Sequence, residues 1–351
     1  MKKYIKHIAL FACALLLIFI ALEKACQYYI PKRIIEKAYW LKEKQHTNYD
    51  YLVLGSSRAE SSFDCNYFDS ITKMKGVNIA INGSGLLENE LTLIDFLKTN
   101  KTKTLYLEID EFNLSPSNHF SYPFHYYLYF PYMYDDVLVD SLIKSKVPKE
   151  KYYIWKYIPF VKYAAFNAKF KLEKIINKEN VDSVFDKKGY QPFYGQETSY
   201  TFIDWKGDFI DKRYWYLGDY SKPSPEYEKT DSLSIQSIKN IISICNKHDI
   251  KLVFFIAPSF VGHFEKQLYN SLDKFVLIKK IAQDNKIPLI NFAYWKYNRD
   301  YKIYHDYTHI NTEGAKKMTA IMSMYQSNNF VFNPAIDSFF QDSICSEFEK
   351  H

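Results

Sequence analysis

Residues Tyr51 to Glu60 read YLVLGSSRAE, and the fold of the chain turns on that decapeptide. Leu52, Val53 and Leu54 form an apolar run that stops at Gly55. A short apolar run cut by glycine predicts a buried strand ending in a tight turn. Such a turn presents Ser57 at the C-terminal edge of the strand, where doubly wound sheets gather their ligands and chemistry. Working outward, Val77–Ile81 predicts a second strand, closed by the breaker cluster Asn82-Gly83-Ser84-Gly85. Leu86–Thr99 has helical periodicity, and Lys103–Ile109 predicts strand three. The alternation resumes with a helix over Ser232–Lys247, strand four over Lys251–Ala257 and a helix over about Phe264–Asn285. Strand five is expected over Pro288–Phe292 and a last helix over about Thr312–Tyr325. Strands alternating with helices predict an α/β fold with a parallel five-stranded sheet and βαβ crossovers.

A chain of 351 residues holds one large α/β domain with an insertion, or two domains. Hydrophobic content of 47% and charged content of 25% place it among ordinary globular chains. The formal net charge of +6 is mild and spread along the sequence, so no nucleic-acid arm is expected. Aromatic residues reach 18%, with 32 Tyr; most read as packing, and some suit sugar-stacking surfaces or membrane interfaces.

The N-terminus carries the compartment signal. Lys2, Lys3 and Lys6 precede an unbroken apolar run from Ile8 to Leu22. Its length lies at the border between a signal-peptide core and a short membrane helix. Glu23 spoils the obvious small-x-small cleavage site, which favours an uncleaved signal anchor over residues 1–27 above a cleaved peptide. The N-terminal lysines put the start inside and the rest of the chain outside the cytoplasmic membrane, periplasmic or at the cell surface. Residues 28–48 then read as a stalk helix opening at Pro31, or as a helix packed on the domain.

Residues 49–326 make up the expected domain, interrupted over 110–228 by a Tyr-, Phe-, Trp- and Pro-rich insertion that covers one end of the sheet. Within it Val161–Asn177 is a helix candidate. The tail, 327–351, shows no clear period. Cys65, Cys245 and Cys345 admit one disulfide outside the cytoplasm, with the pairing open.

Acyl transfer by serine needs a nucleophile, an oriented imidazole and donors for the oxyanion. Ser57 supplies the first. Tyr304–Ala315, YHDYTHINTEGA, supplies His309 as general base and Asp306, three residues earlier, to orient it. Both loops follow strand C-termini, so the fold brings them to one edge of the sheet. Asp306 alone also reads as a helix cap. His305 and His309, four apart with Asp306 between, admit a metal reading that the loop setting disfavours; no metal or organic cofactor is expected. Arg58 is a candidate for holding an anionic or carbonyl group of substrate, with a structural salt bridge as its alternative. Glu108, Asp110 and Glu111 follow strand three and read as a solvated rim rather than a binding site.

Gly55-Ser56-Ser57-Arg58, Asn78-Ile-Ala-Ile-Asn-Gly83 and Asp306-x-x-His309 together resemble the blocks of SGNH (GDSL-type) hydrolases. The resemblance covers about Tyr49–Leu114 and Ser232–Gln326. It implies a three-layer α/β/α, flavodoxin-like sheet, Ser57 as nucleophile, His309 as base and Asp306 as its orienter. It also implies the Ser57 and Gly83 N–H groups as oxyanion donors. Ser56 stands where the family usually has Asp, and no Gly-x-Asn-Asp block occurs; Asn113 is the candidate stand-in for the third donor. Such departures resemble a membrane-anchored branch similar to polysaccharide O-acetyltransferases, which work beside a membrane-bound O-acyltransferase. The expectation is an esterase or O-acyltransferase acting on acyl, most simply acetyl, groups of a cell-envelope or exported polysaccharide. Its rival is a non-catalytic SGNH-like scaffold that binds glycan or partners the membrane acyltransferase.

Overall fold

Asn48–Leu54, Gly76–Asn78, Lys101–Glu108, Lys251–Ile256 and Leu289–Asn291 form five strands, β1 to β5, in the computed structural model. The structure describes residues 2–33, 46–114, 137–164, 186–195, 230–298 and 300–340. All four strand pairs are parallel, in the order β2-β1-β3-β4-β5. Leu52 lies opposite both Val77 and Leu105, and Leu105 opposite Leu252. Successive side chains of a strand face opposite ways. Here Tyr51 and Val53 on one face and Leu52 and Leu54 on the other are all fully buried. Parallel sheets covered on both faces read as continuous apolar runs for this reason.

The helices are α1 (Lys2–Arg33), α2 (Ser57–Ser62), α3 (Cys65–Thr72), α4 (Leu86–Leu97), α5 (Val137–Lys146), α6 (Lys149–Tyr157) and α7 (Val161–Ala164). Then come α8 (Ser232–Lys247), α9 (Val261–Asp284), α10 (Thr312–Ser327) and α11 (Pro334–Asp337). Several start where a side chain satisfies the free N–H groups of the first turn. Asp64, Asp231 and Asn311 accept such bonds for α3, α8 and α10.

Two compact units emerge: Met1–Lys44 with Phe120–Ser183, and Gln45–His119 with Val184–His351. The second holds the sheet. Its core joins Tyr51, Val53, Tyr106, Val253 and Phe255 of the strands to Met318, Ile321 and Met322 of α10. Tyr51 sits among the rings of Phe63, Phe68 and Tyr106, and its hydroxyl donates to Asp69 Oδ1 at 2.6 Å. The ring buries its area while the hydroxyl keeps a partner.

Two expectations need correction, on Pro31 and on the disulfide. α1 runs unbroken from Lys2 to Arg33, so Pro31 lies within it instead of opening a separate stalk helix. The span Lys3–Ala25 is long and apolar enough to cross a membrane. The tail is structured through residue 340: Asn333 caps α11, Ile336 is fully buried, and Phe330 joins the core. It has no period because single side chains, not a face, fill the core. Cys65 and Cys245 are buried free thiols, and burial pushes Cys245 up to about 12. Cys345, most of the expected helix beyond Ala164, and 34–45 fall outside the described residues.

Candidate active site

The turn after β1 is built by a glycine and a buried acid. Gly55 has φ +155°, a backbone that side chains rarely adopt. A Cβ there would lie 2.6 Å from both Ala59 Cβ and Glu108 Cβ. The close approach lets Glu108 Oε2 accept from the Ser56 N–H at 2.9 Å and from the Ser56 hydroxyl at 3.0 Å. Ser56 Oγ in turn accepts the Arg58 N–H at 3.2 Å, capping α2. Ser57 is therefore the first residue of a short helix whose entry is held from β3. Asn78, fully buried in β2, donates to Ala59 O at 2.9 Å and Phe63 O at 3.2 Å and so fastens α2 from the other side.

The second half comes from the loop between β5 and α10. Tyr304 and Ile310 form an antiparallel bridge that closes it. Asn311 caps α10 through Oδ1 and donates from Nδ2 to Lys302 O at 2.7 Å. Inside the loop Asp306 Oδ1 accepts the N–H groups of Thr308 and His309, each at 2.8 Å. Those bonds aim the carboxylate, and its Oδ2 lies 2.8 Å from His309 Nδ1. His309 Nε2 lies 2.9 Å from Ser57 Oγ, 252 residues away in sequence. With Nδ1–H donated to the carboxylate, Nε2 is the acceptor for the serine proton. Burial alone raises the Asp306 pKa, but the hydrogen bond and charge of His309 and the N–H groups of Thr308 and His309 outweigh it, and the carboxyl is held at about 2.

Gly83 also has a left-handed backbone, φ +72°. Its turn stands beside the Ser57 turn because the Ile81 N–H donates to Gly55 O at 3.2 Å, extending the β1–β2 pairing to the strand ends. Asn113 belongs to a ring with Asp110: its Oδ1 accepts the Asp110 N–H at 3.0 Å, and its N–H donates to Asp110 Oδ1 at 2.8 Å.

Arg58 takes the structural alternative. Its guanidinium is buried and donates to Asp110 Oδ2 at 2.6 Å, Ala257 O at 2.6 Å and Ser259 Oγ at 2.7 Å. It ties the ends of β3 and β4 to α2. Glu108, Asp110 and Glu111 are likewise buried, so the solvated rim is corrected to an acidic cluster beneath the turn. Burial first, and the Asp110 charge next, push Glu108 up to about 8 and Glu111 up to about 7; Arg58 pulls both back down.

Phe193 was not among the expected residues. Its ring stacks on His305 at 4.4 Å and meets His309 edge-on at 5.5 Å, while its carbonyl accepts the Thr312 N–H. It sits in an aromatic-rich stretch where one Phe has no distinguishing signal. His305 Nδ1 is 3.1 Å from Gly195 O, turned to this segment. Among the described residues no group of three or more His, Cys, Asp or Glu is arranged to hold a metal. A hydroxyl, an imidazole and a fixed carboxylate in line can deliver an activated alkoxide to an electrophilic carbonyl. No family model matches the sequence, and a search of curated proteins likewise returned no match.

Proposed function

We propose that this protein is a membrane-anchored, extracytoplasmic serine esterase or O-acyltransferase of the SGNH kind. Its substrate would be acyl groups, most simply acetyl, on a cell-envelope or exported polysaccharide. The observation that carries this reading is the 2.9 Å approach of His309 Nε2 to Ser57 Oγ, with Asp306 2.8 Å behind the ring. The strand order β2-β1-β3-β4-β5 supports a flavodoxin-like arrangement, in which ligands gather where the order reverses. Ser57 follows β1, next to that reversal between β1 and β3. Burial on both sheet faces supports a three-layer α/β/α arrangement. The lysines in the first turns of α1, ahead of its apolar run, support the outward placement of the domain.

In this mechanism Ser57 Oγ attacks the ester carbonyl carbon while His309 Nε2 takes its proton. The oxyanion forms beside the N–H groups of Ser57 and Gly83. The C–O bond to the leaving alcohol breaks, and His309 returns the proton to that oxygen. Water, or a sugar hydroxyl supplied by the acceptor glycan, then attacks the acyl-enzyme, and His309 again carries the proton. A membrane-bound O-acyltransferase is the natural partner for the transfer direction. Incubation of the full chain with a fluorophosphonate probe and an acetyl-ester reporter tests the reading. Labelling and turnover that vanish in Ser57→Ala support it; an unlabelled, well-folded wild type overturns it.

A further inference from the structure

The outward face of α6 is apolar where a water-facing helix is polar. Tyr153, Ile154, Tyr157 and Ile158 are 38, 42, 69 and 42% exposed. Residues three and four apart share one side of a helix, so Tyr153, Ile154 and Tyr157 make a single stripe, with Ile158 just past its end. The rings of Tyr153 and Tyr157 lie parallel within it, 6.1 Å between centroids. The helix's polar contacts point the other way, onto α5. Tyr152 donates to Asp140 at 2.8 Å, Lys156 Nζ lies 2.6 Å from the same carboxylate, and Trp155 is buried.

The chain just after this stripe is fastened to α1. Phe160 donates its N–H to Glu23 Oε2 at 2.6 Å, and the fully buried Lys162 ammonium pairs with Glu23 Oε1. The Phe160 ring also meets that of Phe19, centroids 6.4 Å apart. Glu23 closes the apolar span Lys3–Ala25. Phe19, one turn earlier, lies about 6 Å deeper along the helix. A carboxylate at the end of a membrane span needs a partner, and the partner here comes from the segment that follows α6. The stripe is thereby held at the level where α1 leaves the hydrocarbon, the depth at which tyrosine rings with one polar end settle.

We propose that Tyr153, Ile154, Tyr157 and Ile158 form a membrane-contact surface resting in the headgroup interface of the bilayer that α1 crosses. Lys149 and Lys151, exposed on the same short helix, suit anionic head groups. The inference rests on α1 crossing a membrane and is independent of the serine chemistry.

The test uses the full chain in single-copy nanodiscs of phosphatidylethanolamine and phosphatidylglycerol. Photoreactive p-benzoylphenylalanine replaces Phe11, Ile154 or Tyr157 in separate preparations, and intact mass reads lipid adducts after illumination. Position 11, in the middle of the span, reports the anchor. Adducts at 154 or 157 in a yield within about tenfold of position 11 support the proposal. A lower yield at both, with position 11 still labelled, overturns it and leaves the anchor standing. Adducts to a second copy in two-copy discs, in place of lipid, also overturn it. No adduct at position 11 removes the anchor, and the proposal with it.

Discussion

Glu108 Oε2 accepts both the N–H and the hydroxyl of Ser56, at 2.9 and 3.0 Å, one residue before the proposed nucleophile. The serine at the position where the resembled family carries an acid is thus paired with an acid from the neighbouring strand. Glu108→Ala leaves two buried donors without their acceptor. It is expected to cost about 2–4 kcal/mol in denaturant unfolding and to slow Ser57 labelling at least about tenfold. Glu108→Gln keeps an oxygen acceptor and is expected to recover most of the labelling rate.

The same residue sets a pH dependence. Its folded pKa, about 8, lies above the ordinary carboxylate value, so the folded state binds the extra proton. That contribution is complete below about pH 4.5 and is lost as pH rises toward 8. Wild-type stability minus Glu108→Gln stability should therefore fall between pH 5 and 8 in parallel urea titrations. A flat difference would rule out the buried acid as its source.

Asp306 acts with the opposite sign. Held at about 2, it contributes stability that is complete above its ordinary value near 4 and disappears as pH falls toward 2. The size is about 2 kcal/mol, which Asp306→Asn should lose, flattening acid unfolding in that window. Asp306→Asn also releases the His309 tautomer. Acetyl-ester turnover is expected to drop by about 10²–10⁴-fold, mainly in kcat, while Ser57→Ala and His309→Ala abolish it.

Gly55→Ala should fail in folding more than in chemistry. The added Cβ meets backbone-proximal carbons of Ala59 and Glu108 at 2.6 Å, and the φ of +155° compounds the strain. A loss of about 2 kcal/mol or more is expected from the shift in denaturant midpoint.

Arg58 separates a structural from a substrate role. Removing it leaves Asp110 buried beside Glu108 and Glu111. Arg58→Met is therefore expected to cost about 3–5 kcal/mol, and Arg58→Lys to restore little because three divergent acceptors need the planar fork. An unchanged melting temperature with a raised KM would instead assign the guanidinium to substrate.

The alternation of apolar runs and breakers made β1, β3, β4 and the helices after Leu86, Ser232 and Thr312 readable, because strand and helix periods follow from local partition between water and core. Ser57, Asp306 and His309 were legible for the same reason: Ser57 sits where β1 stops, and Asp306 and His309 just before α10 starts. Glu108, Asp110 and Glu111 carry no such mark. Charged residues after a strand usually meet water, and only the tertiary packing that pairs Asp110 with Arg58 turned the group into a buried cluster. Phe193 and Ile336 lie in aperiodic stretches, so nothing local announced that the one meets the His309 ring or that the other fills the core.

The sequence by itself determined which apolar runs leave water, about where the strands end, and hence which hydroxyl and which imidazole stand beside the ends of elements. The meeting of Ser57 with His309, the pinning of Ser56 by Glu108 and the capture of Arg58 by Asp110 were decided by the tertiary structure alone. Local pattern records each residue's preference for solvent, whereas a hydrogen bond across 252 residues depends on the register of a sheet that no single segment encodes.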